Sequence, residues 1–496
     1  MKTLIKAIAI SFIFIVNTQA SLLDDLPEIK YESFTLDNGL TVVVHEDRKV
    51  PMVAVNVWYH VGSKNEKVGK TGFAHLFEHL MFNGTENYNS EYFEPFEKIG
   101  STDQNGTTNS DRTNYFQNVP TNAVDLALWM ESDRMGHLLG VVDQEKLDEQ
   151  RGVVQNEKRQ GENRPYGKAF TRISEAAFPK GHPYSWTTIG SMEDLDAASL
   201  EDVQEWFKTY YGPNNAVLAL AGDIDMETAK EKVEKYFGDI PAGPPLVKPD
   251  VWIAKRNEEK RDIMYDNVPQ ARIYKAWNVP PRDTEAAAHF DLASSILVGG
   301  KNSPLFKELV YEKQIATSVS AFYYDREIAG MFIVTVDVAA SEDPIEVERE
   351  MDNVLQTFIQ KGPNRKLLNA EKTKALASFI RGAQRIGGFG GKSDLLATCQ
   401  TYTGNPGCYI NNAKYIDEST SAKIKSTFSE WIDNTPYVLT ILPSDKLATN
   451  ESTVDRSEGI PYPTEKISFK FPSLQTAKLS NGARVVLAER KNIPLV

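Results

Sequence analysis

Cysteine is nearly absent from this chain: two residues in 496, Cys399 and Cys408. One pair with no other cysteine or histidine beside it cannot complete a Cys-rich structural metal site. Histidine is also scarce, at seven residues, so any two histidines close in sequence stand out. Positive charge falls short of negative, 55 Lys and Arg against 68 Asp and Glu, for a net charge of -13. That balance argues against binding to nucleic acid or to an anionic membrane surface. Long apolar runs are missing too. The one near the start, Ala7 to Val16, is too short to span a bilayer, and nothing later is apolar enough to be transmembrane.

What is present begins with a leader. Met1-Lys2-Thr3-Leu4-Ile5-Lys6 is basic, the apolar stretch follows, and Thr18-Gln19-Ala20 offers small residues for cleavage. Residues 1–20 are expected to be a signal peptide, with the mature chain starting at Ser21 and exported to a periplasm or secreted. No cysteine follows the cleavage site, so a lipid anchor is not indicated. In an exported chain Cys399 and Cys408 read as a disulfide closing a short loop.

The densest chemistry lies in His75-Leu76-Phe77-Glu78-His79. Positions i, i+3 and i+4 share one face of a helix. Two imidazoles there suit a zinc ion, and the carboxylate between them suits a general base. By default a helix histidine is packed or solvated, and the context argues otherwise. Val53 to Val61 alternates and is β-branched, a strand pattern. Gly62 to Lys67 is turn chemistry. Thr71 to Phe82 is apolar at helical spacing, with Thr71 near the N-cap and Gly84 past the end. Charged and imidazole groups in such a helix need partners, and a metal is the simplest one.

The pattern continues with a hairpin from Tyr31 to His45 around Asp37-Asn38-Gly39. Helices are expected over 123–139 and 144–160, and a buried strand over 215–223. Gly243-Pro244-Pro245 and the charged run 255–261 read as a linker. A second mixed domain follows, with helices over 286–298 and 344–361 and a strand over 331–338. Polar residues from Ser444 to Pro463 form a second linker. The end then repeats the beginning: Leu36 to Val44 matches Leu479 to Leu487 without gaps, and Glu46, Pro51 and Val53 fall on Glu489, Pro494 and Val496. The chain is therefore expected to open a second copy of its first domain and to be truncated relative to a protein about twice as long.

These residues together resemble the insulinase/pitrilysin family of zinc peptidases (peptidase family M16), which includes the mitochondrial processing peptidases. The motifs that carry the resemblance are Asn38-Gly39-Leu40, Gly62-Ser63, Gly72 to Phe82 and Arg151 to Glu157, with a weaker echo in Gly299 to Phe306. The resemblance implies an α+β fold with two structurally similar α/β domains, each an antiparallel-rich sheet packed with helices. The implied layout is a catalytic domain over 32–245, a second domain over 262–443, a linker over 444–474 and the opening strands of a third unit over 475–496. It also implies a third zinc ligand. Spacing alone leaves Glu145, Glu149, Glu157 and Glu162 open; the motif selects Glu157, 78 residues after His79. Where the family often has another glutamate, seven residues earlier, this chain has Gln150.

The resemblance further implies that Asn105-Gly106-Thr107-Thr108 belongs to an edge strand on which a peptide substrate pairs. His75, His79 and Glu157 would hold one Zn2+, and Glu78 would serve as the general base of a metalloendopeptidase. In the family two halves close on the substrate, and an Arg/Tyr pair from the second half stabilises the oxyanion. A covalent second half or a partner subunit is thus expected to complete the site. A binding or scaffold protein without turnover and a structural zinc site are the competing readings. Inactive relatives usually lose a ligand or the base, and all four groups are kept here. The sequons at Asn83, Asn105 and Asn450 are read as unglycosylated, because the first two adjoin the site.

Overall fold

The computed structural model describes Leu23 and residues 26–432, 435–444, 457, 459–463 and 473–488. The expected signal peptide, most of the 444–474 linker, and Glu489, Pro494 and Val496 of the repeat lie outside the described residues. The chain divides into two units, residues 1–444 and 445–496.

Six strands form the first sheet of the larger unit: β1 (Glu32–Thr35), β2 (Thr41–Glu46), β3 (Met52–Tyr59), β4 (Thr102–Thr108), β5 (Thr113–Pro120) and β6 (Ala216–Gly222). Their order is β1-β2-β6-β3-β5-β4. The second sheet contains β7 (Lys260–Asp266), β8 (Arg272–Val279), β9 (Ala316–Tyr324), β10 (Gly330–Val338) and β11 (Tyr437–Pro443), in the order β7-β11-β8-β10-β9. With β1 set aside, the two sheets share one topology. Each has a single parallel pair, β2 with β6 and β7 with β11, and is otherwise antiparallel. β6, Ala-Val-Leu-Ala-Leu-Ala-Gly, is buried along its whole length, as expected of a central strand covered on both faces. The charged stretch read as linker ends early, because Lys260 and Arg261 already pair in β7.

Helices α1 (Phe73–Leu80), α2 (Glu94–Lys98), α3 (Val124–Gly136), α4 (Gln144–Glu162), α5 (Ala169–Ala177), α6 (Met192–Asp196), α7 (Leu200–Tyr210) and α8 (Met226–Phe237) lie between β3 and β7 in sequence. They are followed by α9 (Glu285–Val298), α10 (Pro344–Lys361), α11 (Arg365–Gly382), α12 (Lys392–Thr403), α13 (Tyr409–Glu418) and α14 (Ser421–Trp431). Alternation sorts the first sheet's side chains onto two faces. Val42, Val44, Val55, Val57, Leu218 and Leu220 pack with Leu76, Phe77 and Leu80 of α1. Val43, Trp58, Val217 and Ala219 pack instead with Leu396, Ala397 and Cys399 of α12 and with Tyr409 of α13. The exchange is mutual: Ala169 and Ile173 of α5 cover Tyr274, Ala276, Met331 and Ile333 of the second sheet. Each domain-sized stretch therefore supplies a cover for the other's sheet. At about 1.5–3 kcal/mol per buried large apolar side chain, neither sheet would be complete without it. Helices α11 to α14 have no counterpart among the sequence expectations.

Cys399 and Cys408 are joined as a disulfide between α12 and α13. In the smaller unit, β12 (Leu474–Lys478) and β13 (Arg484–Ala488) form an antiparallel hairpin. Its register is that of β1 and β2: Thr35 opposes Thr41, and Lys478 opposes Arg484. The turns match bond for bond. Leu36 N–H donates to Leu40 O at 3.0 Å and Leu479 N–H to Ala483 O at 2.9 Å, while Gly39 and Gly482 take φ of 91° and 89°. A left-handed conformation of this kind favours glycine.

Candidate metal centre

Helix α1 is shorter than the expected 71–82, because Gly72 stands at its N-cap in the left-handed conformation with φ 86°. Thr71 does not cap it; its hydroxyl and N–H both donate to Asp194 Oδ2, at 2.6 and 2.9 Å. The start of α1 is capped instead by Glu66, which accepts from Gly72 N at 3.2 Å and from Ala74 N at 2.8 Å. That cap satisfies donors every helix leaves unpaired at its N-terminus. Glu66 falls in the stretch read only as turn chemistry.

The apolar face of α1 is buried in the first core, which turns His75 and His79 the other way, each about one-fifth exposed at the side chain. Helix α4 crosses beside them, started by Asp143, whose side chain accepts from Lys146 N. It brings Glu157 Oε2 to 3.7 Å from His75 Nε2 and to 3.7 Å from His79 Nε2. Ligand atoms of the three residues lie within 4.8 Å of one another. Two donors on a tetrahedral zinc about 2.1 Å away sit about 3.4 Å apart, so the residues present fit that ion. Glu78, between the two histidines, is 9% exposed and stands apart from the converging group. Thr108 of β4 is among the neighbours that favour its charged form, while the Thr108 hydroxyl itself lies 3.2 Å from Thr113 Oγ1. β4 is an outer strand of its sheet, and Gly106 in it is pressed so close to Phe82 that a Cβ would meet the ring at 2.6 Å. Gln150 lies on α4, two turns before Glu157. The disulfide is on the other face of the sheet, packed with Val43 and Trp58, and takes no part here.

Burial sets the charge states. It lowers the His75 pKa to about 4, with the neighbouring His79 adding to the effect. A neutral imidazole is the form that ligates a metal. Burial pushes Glu78 up to about 7, against the neighbouring Thr108 and the Arg112 charge. Burial pushes Glu66 up to about 8, against the N–H groups of Ala74 and Gly72. A carboxyl raised on folding stabilises the fold below its unfolded pKa, and that contribution is lost as pH rises through the folded value. His75 titrates in the opposite sense, but its change is complete by the ordinary histidine value of 6.5. The metal-free protein is therefore expected to lose stability between pH 6.5 and about 8, by up to about 1.4 kcal/mol per pH unit for each group. Thermal melts after chelation check this, and Glu66→Gln should flatten the slope.

Similarity to known proteins gives the class first. Residues 41–189, which hold His75, His79 and Glu157, match the profile of insulinase (peptidase family M16). Residues 197–375 match the profile described as the peptidase M16 inactive domain. Fold and site thus define a protein of the peptidase class. Zinc protease PqqE of Helicobacter pylori is 30% identical over 330 residues, covering 65% of this chain and 73% of that protein. The chain belongs to peptidase family M16. A solved protease from Helicobacter pylori superposes with a TM-score of 0.76 at 25% identity, covering 84% of this chain and 100% of that one. The periplasmic protease PqqL from Escherichia coli shares the fold, with a TM-score of 0.66 at 18% identity over 95% of this chain and 57% of that one.

Proposed function

We propose that this chain is a zinc-dependent endopeptidase that hydrolyses peptide bonds in peptides or unfolded polypeptides. The observation that carries the reading is the meeting of His75, His79 and Glu157, from two helices, with ligand atoms within 4.8 Å. These three residues would hold one zinc ion and leave a fourth position open, the catalytic arrangement. Bound there, zinc supplies Lewis-acid polarisation of a carbonyl and acidification of a water. Glu78 takes the proton from the attacking water and returns it to the leaving amine. Thr108 of β4 is a polar neighbour that favours the charged form of this carboxylate. Asn105, Gly106, Thr107 and Thr108 on that outer strand accept an extended peptide by main-chain pairing. An open edge is normally shielded, and next to these ligands it has a use.

His75→Ala, His79→Ala and Glu157→Ala are each expected to reduce zinc from about one per chain to background, with peptide hydrolysis lost in parallel. Elemental analysis beside a peptide-library digest reads both. Stoichiometric zinc in all three variants would refute the ligand assignment.

The two sheets of like order support the division into 32–245 and 262–443, and the matched hairpins support an internal repeat beginning near residue 475. A further half or a partner subunit would then complete the wall around the substrate. The disulfide supports an exported location, periplasmic or secreted. No helix of the described residues is long and apolar enough to cross a membrane.

A further inference from the structure

The three metal-binding side chains sit on two helices, and a zinc site tolerates little error in the gap between them. A third element touches both. Toward α1, Asp194 of α6 accepts the two hydrogen bonds from Thr71, and Ser191 N–H donates to Thr71 Oγ1 at 3.1 Å. The backbones also close on each other there: a Cβ on Gly190 would lie 2.2 Å from Gly72 N, and one on Gly72 would lie 2.7 Å from Ile189 O. Toward α4, Arg151 donates from Nε to Leu195 O at 3.0 Å and from Nη2 to Ala198 O at 2.7 Å. Gln155, two residues before Glu157, donates to Asp196 Oδ1 at 2.6 Å. Nine consecutive residues, Gly190 to Ala198, thus grip the start of the histidine helix with one side and the glutamate helix with the other.

We propose that this segment is the bracket that sets the distance between the histidine pair and Glu157, with Asp194 and Arg151 as positioning residues for the metal. The inference rests on the zinc reading above. Neither residue is among the converging ligands; each acts through the helix it holds. Asp194 receives both Thr71 donors on one oxygen, so asparagine can keep the grip and alanine cannot. Arg151 reaches two carbonyls with two nitrogens, which no shorter side chain replaces. Both residues act on one gap, so losing the second grip after the first should change little.

Zinc affinity measured against a chromophoric chelator, the visible spectrum of the cobalt-substituted protein and the melting temperature of the metal-free protein test this together. Asp194→Ala and Arg151→Ala are each expected to weaken zinc by about 10–100-fold and to diminish the tetrahedral cobalt band, with the metal-free fold retained. Asp194→Asn should restore affinity to within about threefold, since it keeps the acceptor that both Thr71 donors use. The Asp194→Ala/Arg151→Ala double variant should be no weaker than the worse single variant by more than about threefold, because neighbouring sites in one device are not additive. If Asp194→Ala fails to fold, Arg151→Ala and its cobalt spectrum carry the test alone. Unchanged zinc affinity in Arg151→Ala, or losses that simply add in the double variant, overturn the bracket while leaving the zinc centre intact. An unsubstituted protein that takes up no zinc overturns the centre itself.

Discussion

Glu78→Gln is expected to lower kcat for peptide hydrolysis by about 10²–10⁴-fold while zinc content and KM stay near those of the unsubstituted protein. The substitution keeps the shape of the side chain and removes its capacity to take a proton. The metal should stay because Glu78 is outside the group formed by His75, His79 and Glu157. The buried setting of Glu78 makes the result sharp. At 9% exposure, this carboxylate has little bulk water to compete with it. The measurement is kcat and KM on one peptide with metal analysis of the same samples. A kcat within threefold of the unsubstituted value would move the base elsewhere; lost zinc would make Glu78 structural.

The largest effect on stability is expected from Glu131→Ala. Glu131 and Arg134, both on α3, have fully buried side chains. Arg134 donates from Nε to Glu131 Oε2 at 2.9 Å and from Nη2 to Oε1 at 2.5 Å, and Gln117 of β5 donates to Oε1 at 2.9 Å. The guanidinium is sandwiched near Tyr115 and Tyr92, 4.0 and 4.2 Å from the ring centres. Removing the carboxylate strands a buried cation, which costs about 3–5 kcal/mol. Replacing both charges, as Glu131→Leu/Arg134→Met, should recover most of that loss, because a well-packed apolar pair avoids the desolvation cost. Denaturant unfolding of the single and double variants reads the difference. The consequence reaches the site as well. Tyr115 opposes Gly106 in the sheet, so the single variant should also raise KM by loosening β4 beneath the substrate.

Much of the site was legible because it is local. The spacing of His75, Glu78 and His79 needs only one turn of helix, and the apolar residues around them fix which way that turn faces. The Asn38-Gly39 turn, its repeat at Asn481-Gly482 and the buried run of β6 are likewise short-range patterns. Glu157 was selected by motif resemblance, since four glutamates met the spacing equally well. Glu66 and Asp194 escaped notice because their value depends on what they reach: the N–H of Ala74 eight residues on, and the backbone of Thr71 more than a hundred residues back.

The sequence alone determined the secondary structure around the ligands, the chemistry of the donor set and the family, all of which follow from periodicity, side-chain type and motif. Only the tertiary structure decided that α4 comes within 3.7 Å of both histidines and that α12 leaves its own stretch of chain to cover the first sheet. The physical reason is range. Dihedral preference and amphipathic spacing act over a few residues, whereas the meeting of distant segments depends on which apolar faces cover each other, and no window of sequence contains both partners.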